Sequence, residues 1–331
     1  MKVEMKIWEI SEKRILTHNG VKEKGCHIMS NTTNILNFVL AGFSENQEAQ
    51  ILYSIVFLVT YLCVLVGNLL IIFLILFNHY LHTPMYFFLI SLAIGDLGVT
   101  SAIIPKSIVN AFMNSKLILY YECMIQLFFY VSFLSSNLFF LTIMAYDRYI
   151  AICHPLHFAS IMKWSTCFQM AGGAWVVGFL HSALHTGNIF SMPFCSNIIN
   201  QFFCEVPQLI KLFCSDSYLS ETWVLVFSSC LGVGCLSFIL LTYVQIFTTV
   251  MSMPSVEKKE KAFSTCIPHL FVVSLFIGSS LLAHLILPAK SPSRVDQIFT
   301  TLYTMVPSLM NPIIYSMRNK DVKTAFLKLL G

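Results

Sequence analysis

Seven stretches of this 331-residue chain are each long and apolar enough to cross a lipid bilayer, and that count limits what the chain can fold into. The runs cover roughly residues 51–77, 85–106, 120–146, 167–186, 222–251, 262–287 and 297–317. A helix spanning the hydrocarbon core needs about 20 mostly apolar residues. With no water there to bond backbone groups, only helices and closed barrels can span. These runs are too long for barrel strands and lack period-two alternation. The expectation is an all-α membrane protein, a seven-transmembrane helix bundle. The fourth run is the weakest, with His181 and His185 near its end. Charged residues make up 11% of the chain, against about 25% in soluble domains. A net charge of +4 gives no reason to invoke nucleic acid, and membrane lipid is the expected surroundings.

Lys and Arg near the span ends set the orientation. With the amino terminus outside, the inner face carries Arg148, Lys163, Lys258, Lys259, Lys261, Arg318, Lys320, Lys323 and Lys328. The loops between spans on the outer side then carry fewer: Lys106, Lys116, Lys211, Lys290 and Arg294. The sequon Asn31-Thr32-Thr33 agrees, because a glycosylation acceptor is useful only on the lumenal side. Residues 1–28 mix Lys and Glu, lack the apolar core of a signal peptide and read as an upstream extension before Met29. The expected organisation is an extracellular segment at 29–50, the helix bundle at 51–317 and a short amphipathic cytoplasmic helix at 318–331.

Cys123, Cys195, Cys204 and Cys214 fall on the oxidising face, where four cysteines allow three pairings and spacing alone does not choose. The other span and inner-end cysteines, such as Cys153 and Cys266, fall where disulfides are disfavoured. No CxxC pair is present, so neither a structural metal nor a cofactor is expected.

Several polar residues interrupt the apolar runs. Asn68, Asp96 and Asn311 need partners in lipid, and the simplest economy is that they meet one another and water inside the bundle. Three separate interhelix hydrogen bonds are the plainer alternative. Pro307 and Pro312 suggest a kinked seventh span. Leu81-His82-Thr83-Pro84 reads as a turn, an N-cap Thr and an N1 Pro opening span two. The adjacent Asp147 and Arg148 end the third run, flanked by two tyrosines. Such a charge is either a snorkelling anchor or a site facing a cytoplasmic partner.

Taken in order, Gly67-Asn68, LHTPMYFFL at 81–89, Asp96 in SLAIGDL, MAYDRYIAICHPLHF at 144–158, KAFSTC at 261–266 and PSLMNPIIYSMRNKDV at 307–322 resemble the vertebrate olfactory receptors. These are rhodopsin-like G-protein-coupled receptors, and the resemblance covers 29–331. The short loop at about 288–296 looks like the tetrapod, class II type, which mainly meets airborne odorants. The resemblance implies disulfides Cys123–Cys204 and Cys195–Cys214. It implies no enzyme and no cofactor, but a plasma-membrane receptor of olfactory sensory cilia. Its partners would be a small odorant and a heterotrimeric stimulatory, olfactory-type G protein that raises cyclic AMP.

The chain departs from the family pattern in four places. Asn137 stands where the family usually has Glu, leaving Asp96 as a single carboxylate and weakening the case for a sodium site. Ile277 replaces a Tyr of span six, Thr242-Tyr243 replaces Ser-Tyr, and Gln201-Phe202-Phe203-Cys204-Glu205 replaces His-Phe-Phe-Cys-Asp. Loss of that imidazole argues against metal-assisted binding.

Counting back from Arg148 along a helix places Tyr130, Val131, Leu134 and Ser135 on one inward stripe of outer span three. The resemblance adds Ile277, Ser280, Leu281 and His284 from span six and Thr301 and Thr304 from span seven. His284 also reads as an interhelix donor. Such a lining suits a small, weakly polar volatile. For coupling, the resemblance implies that Arg148 engages the G protein, Asp147 restrains it at rest beside Tyr149, and Tyr243 and Tyr315 hold the open state near Asn311 and Pro312. Lys259 lies where many such receptors place an acid opposite that Arg, so contacts of His269 are expected to limit basal activity instead. An amine receptor would want an Asp where Tyr130 stands. A transporter would show repeated halves or several deep charges, and only Asp96 is deep.

Overall fold

The structure is a computed structural model that describes residues 37–41, 47–214, 218–286, 304–315, 322 and 324, with backbone alone at 47, 49, 218–221 and 279–286. Residues 1–28, the Asn31 sequon, the 288–296 loop, Thr301 and all but two residues of the 318–331 helix lie outside them. The side chains of Ser280, Leu281 and His284 do too. Six described helices are long and apolar enough to span: α1 (Gln47–Phe77), α2 (Pro84–Phe112), α3 (Tyr120–Cys153), α4 (Trp164–Phe190), α5 (Tyr218–Ser252) and α6 (Val256–Ile286). The seventh apolar run is helical over 304–315, here α7, and continues through both Pro307 and Pro312.

These are the runs expected from hydropathy, with longer ends. Helix α3 continues past residue 146 to Cys153, because backbone bonding persists once nucleated and does not stop where apolar composition stops. It ends at His154 (φ −131°, ψ 52°), which has left the helical region ahead of Pro155, where proline disfavours it. Thr83 and Pro84 take the N-cap and N1 places, yet the Thr83 hydroxyl makes no capping bond. Thr83 is exposed at this helix end, where solvent can bond the orphan N–H groups instead.

Helix α3 packs on α2, α4, α5 and α6, so any change along it is felt by most of the bundle. Helix α2 is the most enclosed of these six described spans, about 61% buried along its apolar stretch, whereas α5 is only 6% buried there. Gly67 of α1 sits under Pro312 of α7, where an added Cβ would lie 3.0 Å from the proline's Cβ. A glycine there lets the two helices close up.

The outer end carries a small sheet that hydropathy does not reveal. Strand β1 (Asn37–Leu40) pairs antiparallel with β2 (Leu117–Leu119) and parallel with β3 (Ile198–Ile199), in the order β2-β1-β3. Phe38 and Leu40 point inward and are buried. The Phe38 ring meets Tyr120 at 6.0 Å and Phe194 at 5.3 Å, and Phe194 meets Phe213 at 5.4 Å. The amino-terminal segment thus stitches together the loops before α3 and after α4.

Candidate functional site

The outer loop after α4 is fixed covalently at two points. Cys204 is bonded to Cys123 at the top of α3, across a sequence separation of 81, and Cys195 to Cys214, across 19. Each is worth about 3–5 kcal/mol in the chain-entropy account. Polar side chains add to the anchorage. Gln126 of α3 accepts from the Cys204 backbone N–H at 2.9 Å and donates to the Ala102 carbonyl of α2 at 3.1 Å. The Ser107 hydroxyl donates to the Phe202 carbonyl at 2.9 Å. Segment 202–205 is thereby laid across α2 and α3, with the Phe203 ring edge-on to Tyr130 at 5.6 Å.

Of the expected ligand residues, Tyr130 lies directly beneath this roof. Tyr130 is half-buried and its hydroxyl hydrogen-bonds Thr304 of α7, bringing together residues named from two different spans. Val131 is buried, and Leu134 and Ile277 are half-buried. Ser135 faces elsewhere: its hydroxyl lies 2.8 Å from His181 Nδ1, while His181 Nε2 and His185 Nε2 each lie 2.7 Å from Ser228 Oγ. These contacts tie α3, α4 and α5 together, so the Ser135 hydroxyl is committed to the helix interface. A groove of about 640 Å³ on the flank of α2 and α3, bordered by Leu97, Gly98, Phe129 and Phe133, touches none of the expected ligand residues.

Just after the bridged cysteine, Glu205 is the loop's buried acid, 5% exposed. Burial pushes its carboxyl up to about 7, against smaller opposing effects of the Gln201 and Gln208 amides and the Lys211 ammonium. Glu205 Oε1 has no hydrogen-bond partner among the described residues.

Midway down, Asp96 gathers the polar core. Its Oδ2 accepts from Asn311 Nδ2 at 2.7 Å, and its Oδ1 from Asn137 Nδ2 at 3.0 Å and Ser308 Oγ at 3.1 Å. Asn68 joins indirectly, donating to the Ser308 and Val64 carbonyls at 3.1 and 3.0 Å. The sequence reading named Asn68, Asp96 and Asn311 but missed Ser308. A serine in a helix is an unremarkable signal until its position against α2 is known. Asn137 also packs so closely on Gly95 that an added Cβ there would clash with its amide oxygen.

At the inner end, Arg148 donates from Nη2 and Nε to Asp147 Oδ2, at 2.7 and 3.2 Å. Asp147 is fully buried and the Arg148 side chain 14% exposed, and this is the ion pair Arg148 makes among the described residues. Tyr149 reaches His154 Nε2 at 3.0 Å from its hydroxyl. His269 Nε2 lies 3.1 Å from the Leu141 carbonyl and Nδ1 lies 2.8 Å from the Tyr243 hydroxyl. A carbonyl only accepts, so Nε2 carries the proton and Nδ1 accepts from Tyr243. The neutral ring thus latches α6 to α3 and α5. The Tyr315 hydroxyl is buried without a partner among the described residues. Pro312, one turn away, packs on Gly67.

A sequence-family model described as olfactory receptor matches residues 57–331. The chain is 45% identical to human olfactory receptor 14A16 over 298 residues, spanning 90% of this chain and 96% of that one. It is 44% identical to human olfactory receptor 14J1 over 304 residues, spanning 92% and 95%. Among solved structures, squid rhodopsin superposes with a TM-score of 0.68 over 86% of each chain at 16% identity, a likeness of fold alone.

Proposed function

The chain belongs to the olfactory receptor family, a family of multi-pass plasma-membrane receptors rather than enzymes, and from that premise we propose that it binds small, mainly apolar volatiles and activates a stimulatory, olfactory-type G protein to raise cyclic AMP. The sensory cilia of olfactory neurons are the natural setting. The observation that carries this reading is that one unbroken helix, α3, bears both ends of the device. Tyr130 lies under the bridged loop and Arg148 at the inner end, on a helix described from Tyr120 to Cys153. At 1.5 Å of rise per residue the two are about 27 Å apart.

A ligand changes the balance between resting and active bundles only by binding one better than the other. Val131, Leu134, Ile277 and the Tyr130–Thr304 pair supply a lining of dispersion contacts with one polar spot. Thr301, Ser280, Leu281 and His284 complete it in this proposal. At the inner end, rearrangement of the His269 latch frees α6, and Arg148 leaves Asp147 for the G protein while Tyr243 and Tyr315 turn inward.

The test is a cyclic-AMP reporter in cells expressing the full chain, exposed to a chemically diverse panel of volatiles. A dose-dependent rise for a subset of small apolar compounds is expected. Silence across the panel from receptor verified at the surface, with a signal instead through another G-protein class, would overturn the stimulatory coupling.

A further inference from the structure

We propose that Glu205, with Tyr130 and Thr304, forms an acidic corner in the roof of the odorant pocket that binds small primary amines, the ammonium group pairing with the free carboxylate oxygen. This rests on the odorant-pocket reading and names a ligand class for it.

The geometry starts with the loop. Cys204 is clamped to Cys123 and its N–H is held by Gln126, so the next residue is delivered to a fixed place above α3. Phe203 on the near side covers Tyr130, and Glu205 lies close enough for its charge to act on the Tyr130 phenol. That phenol hydrogen-bonds Thr304. The loop, through Phe203 two residues before Glu205, thus meets α3 and α7 at the Tyr130–Thr304 pair. Gln201 and Gln208 are also buried and reach the carboxylate with their amides, yet among the described residues Oε1 keeps an open acceptor site. A buried acceptor without a donor is costly, more so when charged, so a ligand that brings an N–H donor recovers that loss. An ammonium brings three donors and the opposite charge; an alcohol of the same length brings one donor and none.

The acid comes from the loop, whereas the sequence reading looked for an amine counter-ion in outer span three and found Tyr130. The charged and titratable groups that face Glu205 among the described residues are Lys211, beyond the short loop helix Val206–Ile210, and Tyr130 of α3. Lys211 is exposed and leaves the carboxyl close to neutrality, at about 7. Linkage then has a definite sign. Below that value Glu205 is protonated and offers an ammonium no charge; above it the carboxylate is formed and the pair can close. Amine affinity therefore climbs as pH rises through 7 and levels off above it, while an alkyl ammonium stays protonated to about pH 10. Alcohol affinity does not follow this curve.

The experiment is thermal stabilisation of the purified full chain in detergent, which reads binding without any G protein. Hexylamine and hexanol are titrated at pH 6 and pH 8 on the native chain and on Glu205→Gln. At pH 8 the amine is expected to act at about tenfold lower concentration than the alcohol, and this preference shrinks severalfold at pH 6. Glu205→Gln should abolish the preference and its pH dependence. Equal amine and alcohol responses from the native chain at both pH values would overturn the proposal, as they would if Oε1 merely holds a water. A preference retained in Glu205→Gln would overturn it too. Should that variant fail to fold, the pH split of the native chain decides alone. Amines that stabilise the chain but never raise cyclic AMP would leave this site standing and count against the coupling reading.

Discussion

The two ends of the bundle are held by different chemistry. The outer end is fastened by two disulfides, a three-stranded sheet and a stack of aromatic rings around Phe38. The inner end is held by interactions that can be exchanged for others: one ion pair between neighbouring residues, and a neutral histidine bridging Tyr243 and Leu141. Both ends keep polar atoms waiting among the described residues: Glu205 Oε1 at the outer end, and Tyr315 Oη and Asp147 Oδ1 at the inner. Such atoms cost free energy at rest and gain it back where a rearrangement supplies a partner. The difference suits a receptor in which the reading end keeps its shape and the signalling end has somewhere to go.

The largest effect should come from breaking the outer end. Cys123→Ser and Cys204→Ser are each expected to abolish surface delivery, because losing a disulfide from a domain of this kind costs about 2–5 kcal/mol. The double variant should be no worse than either single one, since the two residues act as a unit. Additive losses in a surface-labelling assay would mean that the outer end is fastened differently.

Loosening the inner end should do the opposite and leave the protein at the surface. His269→Phe keeps a ring in a fully buried place but removes two hydrogen bonds, together worth about 1–2 kcal/mol. Basal cyclic AMP per surface receptor is then expected to rise severalfold. An unchanged or lower basal signal would show that the His269 latch does not hold the resting state.

Smaller still is the expected effect at Ser135. Its hydroxyl serves the His181 and Ser228 cross-link between α3, α4 and α5. Ser135→Ala should cost about 1 kcal/mol of stability and move half-maximal concentrations by no more than about threefold, equally for all agonists. A tenfold shift confined to some agonists would return Ser135 to the pocket wall and blur the division between the two ends.

The helices were legible because bilayer physics requires long apolar runs, and the residues at their cores follow from it. Their ends were less so, since α3 runs on through Asp147 and Arg148 to Cys153 once polar residues are in contact with the inner face. The outer sheet was not legible: strands of two to four residues form only because the bundle brings them together. Spacing left the cysteine pairing open, and the resemblance implied the pairs that the structure contains. Asp96 and Asn311 could be matched because each is anomalous in lipid, while Ser308 and Glu205 gain meaning only from their neighbours.

Whether the ends are joined as proposed is tested most directly at Arg148. Arg148→Ala, expressed as the full chain and measured with the cyclic-AMP reporter against every active volatile, should be silent for all of them. Surface level and agonist-induced thermal stabilisation should stay as in the native chain, because the pocket lies about 27 Å away. A normal cyclic-AMP response from Arg148→Ala would contradict the account, and so would loss of agonist binding together with the signal.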